Sequence, residues 1–173
     1  MVRRILTKEF FERPAEVVAR ELIGKYLVRK LKGKTVRMRI IETEAYVGPH
    51  DLACHASKGR TKRTEGLFGE ASRFYVYFVY GMHYMLNVVC DQKDYPAGVL
   101  IRGAGKISGP ARVAKFLSID KSFYGKPAIP KSGLWFEEGD SKEISKIKKT
   151  PRIGVEFAGP VWSKKLYRFL LKH

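Results

Sequence analysis

Between Val36 and Tyr46 the chain reads VRMRIIETEAY, and no other stretch constrains its fold as strongly. Val36, Met38 and Ile40 alternate with Arg37 and Arg39, the period of a strand with one face in a core and the other in solvent. Continued at the same parity, the pattern carries Glu42 and Glu44 onto the face that begins apolar. A carboxylate there is costly unless it is paired, hydrogen-bonded or at work. Burial raises a carboxyl pKa and a neighbouring carboxylate raises one of the two further, so the pair is equipped to supply a general base for water. Three readings stay open at this point. The pair works, or Arg side chains and backbone N–H groups satisfy both carboxylates, or the strand bulges near Tyr46 and exposes them.

The surrounding elements follow from the same kind of pattern. Pro14 suits a helix entry, Ala15, Val18, Ala19, Leu22 and Ile23 recur at helical spacing, and Gly24 is a natural stop. Tyr26-Leu27-Val28 pairs with the Val36–Tyr46 strand through a turn at Gly33-Lys34. After a Gly-rich, basic connection from Lys58 to Ser72, Arg73–Val79 (RFYVYFV) is a strand, and Tyr80-Gly81-Met82 turns it into a returning strand, Tyr84–Cys90. A strand at Gly98–Arg102 precedes a short helix opened by Ser108-Gly109-Pro110 and carrying Val113, Phe116 and Leu117. Leu134-Trp135-Phe136 and Arg152–Phe157 read as strands separated by a lysine-rich loop, and Trp162–Leu171 reads equally as strand or helix. The expected fold is α+β: a single domain over residues 1–173, with a curved, mostly antiparallel and partly open, barrel-like sheet, flanking helices and a protruding β-hairpin.

Composition narrows the partners. The 173 residues carry 34 Lys+Arg against 17 Asp+Glu, a net charge of +17. Divided after Leu86, the halves hold 17 basic with 9 acidic residues and 17 with 8, so the excess is spread through the fold instead of forming a tail. Such a charge attracts a polyanion, nucleic acid being the commonest; the alternative is a lysine-rich solubilising surface. A hydrophobic content of 45% and aromatic content of 12% exclude intrinsic disorder. Two cysteines, Cys54 and Cys90, are too few for a secreted disulfide scaffold, and no apolar run approaches a membrane span. The expectation is a soluble, cytoplasmic, monomeric protein with no membrane partner, nucleoid-associated if prokaryotic.

Several segments concentrate chemistry. His50, Asp51, Cys54 and His55 lie within six residues, but their spacing matches no usual zinc pattern, so no metal is expected. In the aromatic strand Tyr75 and Tyr77 face one side and Phe74, Phe78 and Tyr80 the other. Most of such a run is ordinarily core. Tyrosine hydroxyls need partners, however, so one face is fitted to line a cavity, and tyrosines beside a basic surface stack on nucleobases. Tyr80 and Met82, at the hairpin tip, have the place of a minor-groove wedge or of an ordinary exposed turn. Asn87, amid Leu86, Val88 and Val89, is either a satisfied polar residue or a base-reading amide. No P-loop, GxGxxG, GxSxG or HExxH motif occurs. A tyrosine-walled pocket, an inward carboxylate and a wedge are the parts needed to extrude a base and hydrolyse its glycosidic bond.

The stretches ARELIGKYLVR (19–29), RIIETEAYVGPHDLACHA (39–56), FYVYFVYGMHYMLNVV (74–89), GVLIRG (98–103), GPARVAKFLSIDKSF (109–123) and PRIGV (151–155) together resemble the alkyladenine, or 3-methyladenine, DNA glycosylases of the mammalian-type superfamily. The matches run in order through nearly the whole chain. The resemblance implies a base-excision repair enzyme that flips an alkylated or deaminated purine out of double-stranded DNA and leaves an abasic site without nicking it, using no metal or cofactor. It implies Glu44 as the general base on water and Arg102 as the residue that helps hold that water and contacts the DNA backbone. Tyr46 and His55 would stack on one side of the base and Tyr77 on the other. Tyr80 would fill the vacated space with Met82 nearby, and Asn87 would disfavour the 2-amino group of guanine. Two other classes compete on the residues alone: a binding module for damaged DNA or structured RNA without chemistry, and a metal-dependent nuclease using His50, Asp51 and His55.

Overall fold

The computed structural model describes residues 3–139 and 146–172. Its helices are short: α1 (Lys8–Phe11), α2 (Ala15–Leu22), α3 (Pro110–Phe116) and α4 (Gly159–Trp162). α2 enters behind Pro14 and buries Ala15, Val18, Ala19 and Leu22 in one stripe. In α3, Val113 is buried while Phe116 is exposed, so Phe116 does not belong to the apolar face assigned to it. No helix among the described residues is long and apolar enough to cross a membrane.

The strands are β1 (Tyr26–Leu31), β2 (Lys34–Tyr46), β3 (Phe74–Val79), β4 (His83–Val89), β5 (Gly98–Ala104), β6 (Ile107–Ser108), β7 (Leu134–Glu137), β8 (Ile147–Thr150) and β9 (Arg168–Leu171). They pair antiparallel in the order β3-β4-β5-β2-β1-β7, with β6 on β5 and β9 joining β2 to β8. The architecture is α+β on a large, open antiparallel sheet, as the pattern predicts. β1 and β2 turn through Lys32 and Gly33, at φ +46° and +79°, with Leu31 already paired to Lys34. The turn therefore sits one residue earlier than expected, where both central residues can take the left-handed geometry that a tight hairpin requires.

β2 is the spine of the molecule. Its first half pairs with β1, its second half pairs with β9, and β5 runs along its other edge. Where the partners change, the register slips twice. Ile40 opposes Ala104 and Glu42 opposes Gly103, so Ile41 is extra on β2. Thr43 then opposes Ile101, so Arg102 is extra on β5. Gly103 sits at the crossing, where a Cβ would lie 3.0 Å from both Ile41 Cγ1 and Glu42 Cβ. Paired bulges of this kind bend a strand and re-aim its side chains. Before them Met38 and Ile40 face the core; after them Ala45 does, and the Thr43 hydroxyl donates to Ala19 O at 2.8 Å. Glu42 and Glu44 are buried, but on the opposite face from Met38 and Ile40, contrary to a simple continuation of parity.

Two later expectations also change. Arg152–Phe157 is not a strand: the sheet takes Ile147–Thr150 instead, and the chain turns away at Arg152 and forms a 3-10 turn at Glu156–Ala158. Arg152 leaves the sheet because its guanidinium is anchored elsewhere, as described below. Trp162–Leu171 divides between the end of α4 and β9. The lysine-rich loop before Thr150 lies partly at 140–145, outside the described residues.

Candidate active site

On the second half of β2, Glu44 is completely buried and each carboxylate oxygen has its own donor. Oε1 accepts from the Ile153 N–H at 2.8 Å and Oε2 accepts from the Tyr46 hydroxyl at 2.9 Å. Arg102 Nε lies 3.5 Å from Glu44 Oε1 and donates to Glu42 Oε1 at 2.9 Å. Arg168 Nε, arriving on β9, donates to the same Glu42 oxygen at 2.7 Å. The two carboxylates therefore have different fates. Glu42 is satisfied by two arginines. Burial pushes the Glu44 carboxyl above its ordinary range, against the opposing pull of Arg102, the Ile153 N–H, Tyr46 and Arg152. Glu44 is thus a carboxylate whose proton affinity burial raises, the property a general base needs.

Behind Glu44 stands a closed ion pair. Arg152 Nη1 and Nη2 donate to Asp51 Oδ2 and Oδ1 at 2.6 and 2.8 Å, and both side chains are 0% exposed. Nη1 also donates to Ala45 O at 2.9 Å. The guanidinium lies 4.8 Å from the centroid of the Tyr46 ring and 5.3 Å from that of Tyr167. Asp51 in turn accepts from the N–H groups of Val47 and Ala53, which ties the segment leading to His55 back to the end of β2.

Next to Glu44 a slot is lined by Tyr46, Cys54, His55, Leu67, Tyr75, Tyr77, Asn87 and Gly98. Alternation on β3 turns Tyr75 and Tyr77 toward it while Phe74 enters the main core. The His55 and Tyr77 rings meet edge-on with centroids 4.5 Å apart, and His55 Nδ1 lies 3.1 Å from the Tyr75 hydroxyl. Asn87 Nδ2 donates to Tyr75 O at 3.1 Å across the β3–β4 pair. Burial, with Arg63 and Lys58 nearby, pushes His55 down to about 4, so its ring is neutral at physiological pH. Burial first, then the charge of Glu44, pushes the Tyr77 hydroxyl up to about 12.

Beyond the slot the β3–β4 hairpin ends in Tyr80 and Met82, which are 86% and 68% exposed. Tyr80 has φ +53° and Gly81 φ +64°. Such a pair belongs to the tight hairpin turns that glycine and asparagine usually occupy. A bulky residue there is uncommon, and the left-handed backbone costs it about 1–2 kcal/mol.

The structure thus brings Glu44, Arg102, Tyr46, His55, Tyr77 and Asn87 into one place and sets Tyr80 and Met82 on the hairpin beside it. Pattern reasoning missed Arg152, Arg168 and the Ile153 N–H; only the stretch PRIGV pointed toward two of them. His50, Asp51, Cys54 and His55 diverge: His50 packs against Trp162, Asp51 on Arg152, Cys54 in the aromatic cluster and His55 on Tyr75. Among the described residues no three or more of His, Cys, Asp and Glu are grouped to hold a metal ion.

Comparison with known proteins identifies the class as DNA glycosylase, a hydrolase of DNA repair. The sequence profile of methylpurine-DNA glycosylases matches residues 9–108 and 104–173. A protein of Methanocella arvoryzae, assigned as a 3-methyladenine DNA glycosylase, is 40% identical over 175 residues, covering 90% of this chain and 86% of its own. Proteins with the same assignment in Myxococcus xanthus and Legionella pneumophila (strain Paris) are each 40% identical over 176 residues. These cover 96% and 98% of this chain, and 90% and 95% of their own. The chain belongs to the methylpurine-DNA glycosylase family.

Proposed function

We propose that this protein releases alkylated purines of the 3-methyladenine class from double-stranded DNA by flipping the damaged nucleotide and hydrolysing its N-glycosidic bond with a water activated by Glu44. The observation that carries this reading is the setting of Glu44: buried, aimed by one donor on each oxygen, and adjacent to the ring-lined slot. N3- or N7-alkylation makes the purine a cationic leaving group. The enzyme then needs to stabilise an oxocarbenium-like sugar and deliver water, both of which one carboxylate does. Arg102 steadies the water and meets the DNA backbone. Tyr46, His55 and Tyr77 enclose the base, and electron-rich tyrosine faces favour a cationic base over its neutral parent by about 0.5–2 kcal/mol. Asn87 disfavours guanine. Tyr80, held outward by its strained turn, fills the space left in the duplex, with Met82 beside it.

The protein acts as a cytoplasmic monomer and leaves an abasic site. The test is release of free base from a duplex carrying an alkylated purine. Glu44→Gln is expected to abolish release while still binding abasic-site duplex. Release at the parent rate from that variant rejects the mechanism, and loss of activity on adding a chelator rejects its independence of metal.

A further inference from the structure

The Arg152–Asp51 pair is not among the residues lining the slot, yet three parts of the site converge on it. The residue after Arg152 supplies the N–H on Glu44 Oε1. The guanidinium backs the ring of Tyr46, whose hydroxyl holds Glu44 Oε2. Asp51 fastens the segment that carries His55. As a device for stability alone the pair is a poor choice. Desolvating two charges offsets most of their attraction, and Arg152 Nε is buried with no hydrogen-bond partner among the described residues. An apolar pair of the same volume would fill the space without that cost, but would neither aim the Ile153 N–H nor place a cation behind Tyr46.

We infer that Arg152, oriented by Asp51, is a positioning residue for base release: it sets the direction of the Glu44 carboxylate through Ile153 and Tyr46 and holds a positive charge behind it. The inference rests on the assignment of Glu44 as the base. Among the described residues, the other charged and titratable groups facing Glu44 are Arg102 on β5, Tyr46 on β2 and Tyr77 on β3. Glu42 shares Arg102, and Arg168 on β9 reaches the cluster through Glu42. None of these changes in the variants below.

Because Arg152 and Asp51 carry opposite charge, their removal has opposite electrostatic consequences, whereas a purely structural strut would treat both losses alike. The experiment measures single-turnover base release from an alkylated-purine duplex against pH, with saturating enzyme, together with affinity for abasic-site duplex. Arg152→Leu is expected to slow release at least tenfold at pH 7 and to move the acidic limb up by roughly half to one pH unit. Asp51→Asn leaves the cation unopposed and is expected to move the limb down. Abasic-site affinity stays within threefold in both. Arg152→Lys keeps the charge and loses the fork; it is expected to slow release severalfold with the limb unmoved, and it carries the test if Arg152→Leu does not fold. Limbs that move together, or not at all, overturn the inference, as does an Arg152→Lys enzyme of full speed. Persistent release by Glu44→Gln instead overturns the parent mechanism, so the two failures are distinguishable.

Discussion

The Tyr46 hydroxyl donates to Glu44 Oε2 at 2.9 Å from two residues further along the same strand. Two positions apart on β2 is the spacing that puts both side chains on one face, so the donor and the carboxylate share a single rigid element. Removing that donor in Tyr46→Phe takes one favourable partner from the carboxylate and moves its pKa further up. The expected outcome is an acidic limb of the release profile shifted to higher pH and a rate about tenfold lower, the worth of one hydrogen bond to a charged group. A stopped pH series on parent and variant checks it.

Glu44 is also a stability liability. Burial raises its carboxyl above the unfolded value of 4.5, so the folded protein holds the proton more tightly than the unfolded chain. Its favourable contribution is present below that value and is lost as pH rises through the folded pKa. Glu44→Gln is therefore expected to raise the melting temperature at pH 7 to 8 and to leave it nearly unchanged near pH 4. Calorimetry at the two pH values decides.

His55 titrates in the opposite sense. With its pKa pushed down to about 4 by burial, its ring stays neutral through the physiological range. The associated stability is present above the ordinary value of 6.5 and is lost as pH falls toward 4. An NMR titration should show His55 resonances flat between pH 8 and 5, and base release should carry no histidine limb in that interval.

At the hairpin tip, Tyr80→Gly removes a bulky residue from φ +53°. The folded state is expected to gain up to about 1 kcal/mol from relief of that strain, less the added freedom of glycine in the unfolded chain. Tyr80→Ala keeps the strain but lacks the ring. It is expected to slow base flipping, followed by fluorescence of a reporter base, far more than it weakens duplex binding.

The net charge of +17 makes a prediction that is independent of the site. Duplex affinity should fall steeply with salt, with a log–log slope near −0.9 for each phosphate neutralised. Single-turnover release at saturating enzyme should change little over the same range. A salt-insensitive affinity would leave the charge without a role in DNA binding.

The α+β class, the hairpin and the tyrosine face of β3 were legible because each follows from a local period: two for the strands, 3.6 for α2. Glu42 and Glu44 were picked out by the same period, but the reason for their burial was not. Parity fails at Ile41 and Arg102, where the register depends on which strand lies alongside, a relation absent from any short window. The sequence Arg-Ile-Gly-Val alternates well enough to suggest a strand through Arg152. What removes it from the sheet is Asp51, 101 residues earlier in the chain. Such contacts are set by tertiary packing, which overrides local preference.

The edge-on contact of His55 and Tyr77 has a consequence for selection. Carbon atoms in contact lie about 3.5–4.0 Å apart, so a base held between two rings keeps them about 7–8 Å apart. The two rings now meet edge-on with centroids 4.5 Å apart, so holding a base between them, as proposed, requires them to part by about 3 Å. On the proposed assignment an occupant must therefore replace the ring contact it breaks with contacts of its own. A broad, cationic purine meets that condition better than a small or neutral base, so the slot as proposed would itself discriminate between occupants.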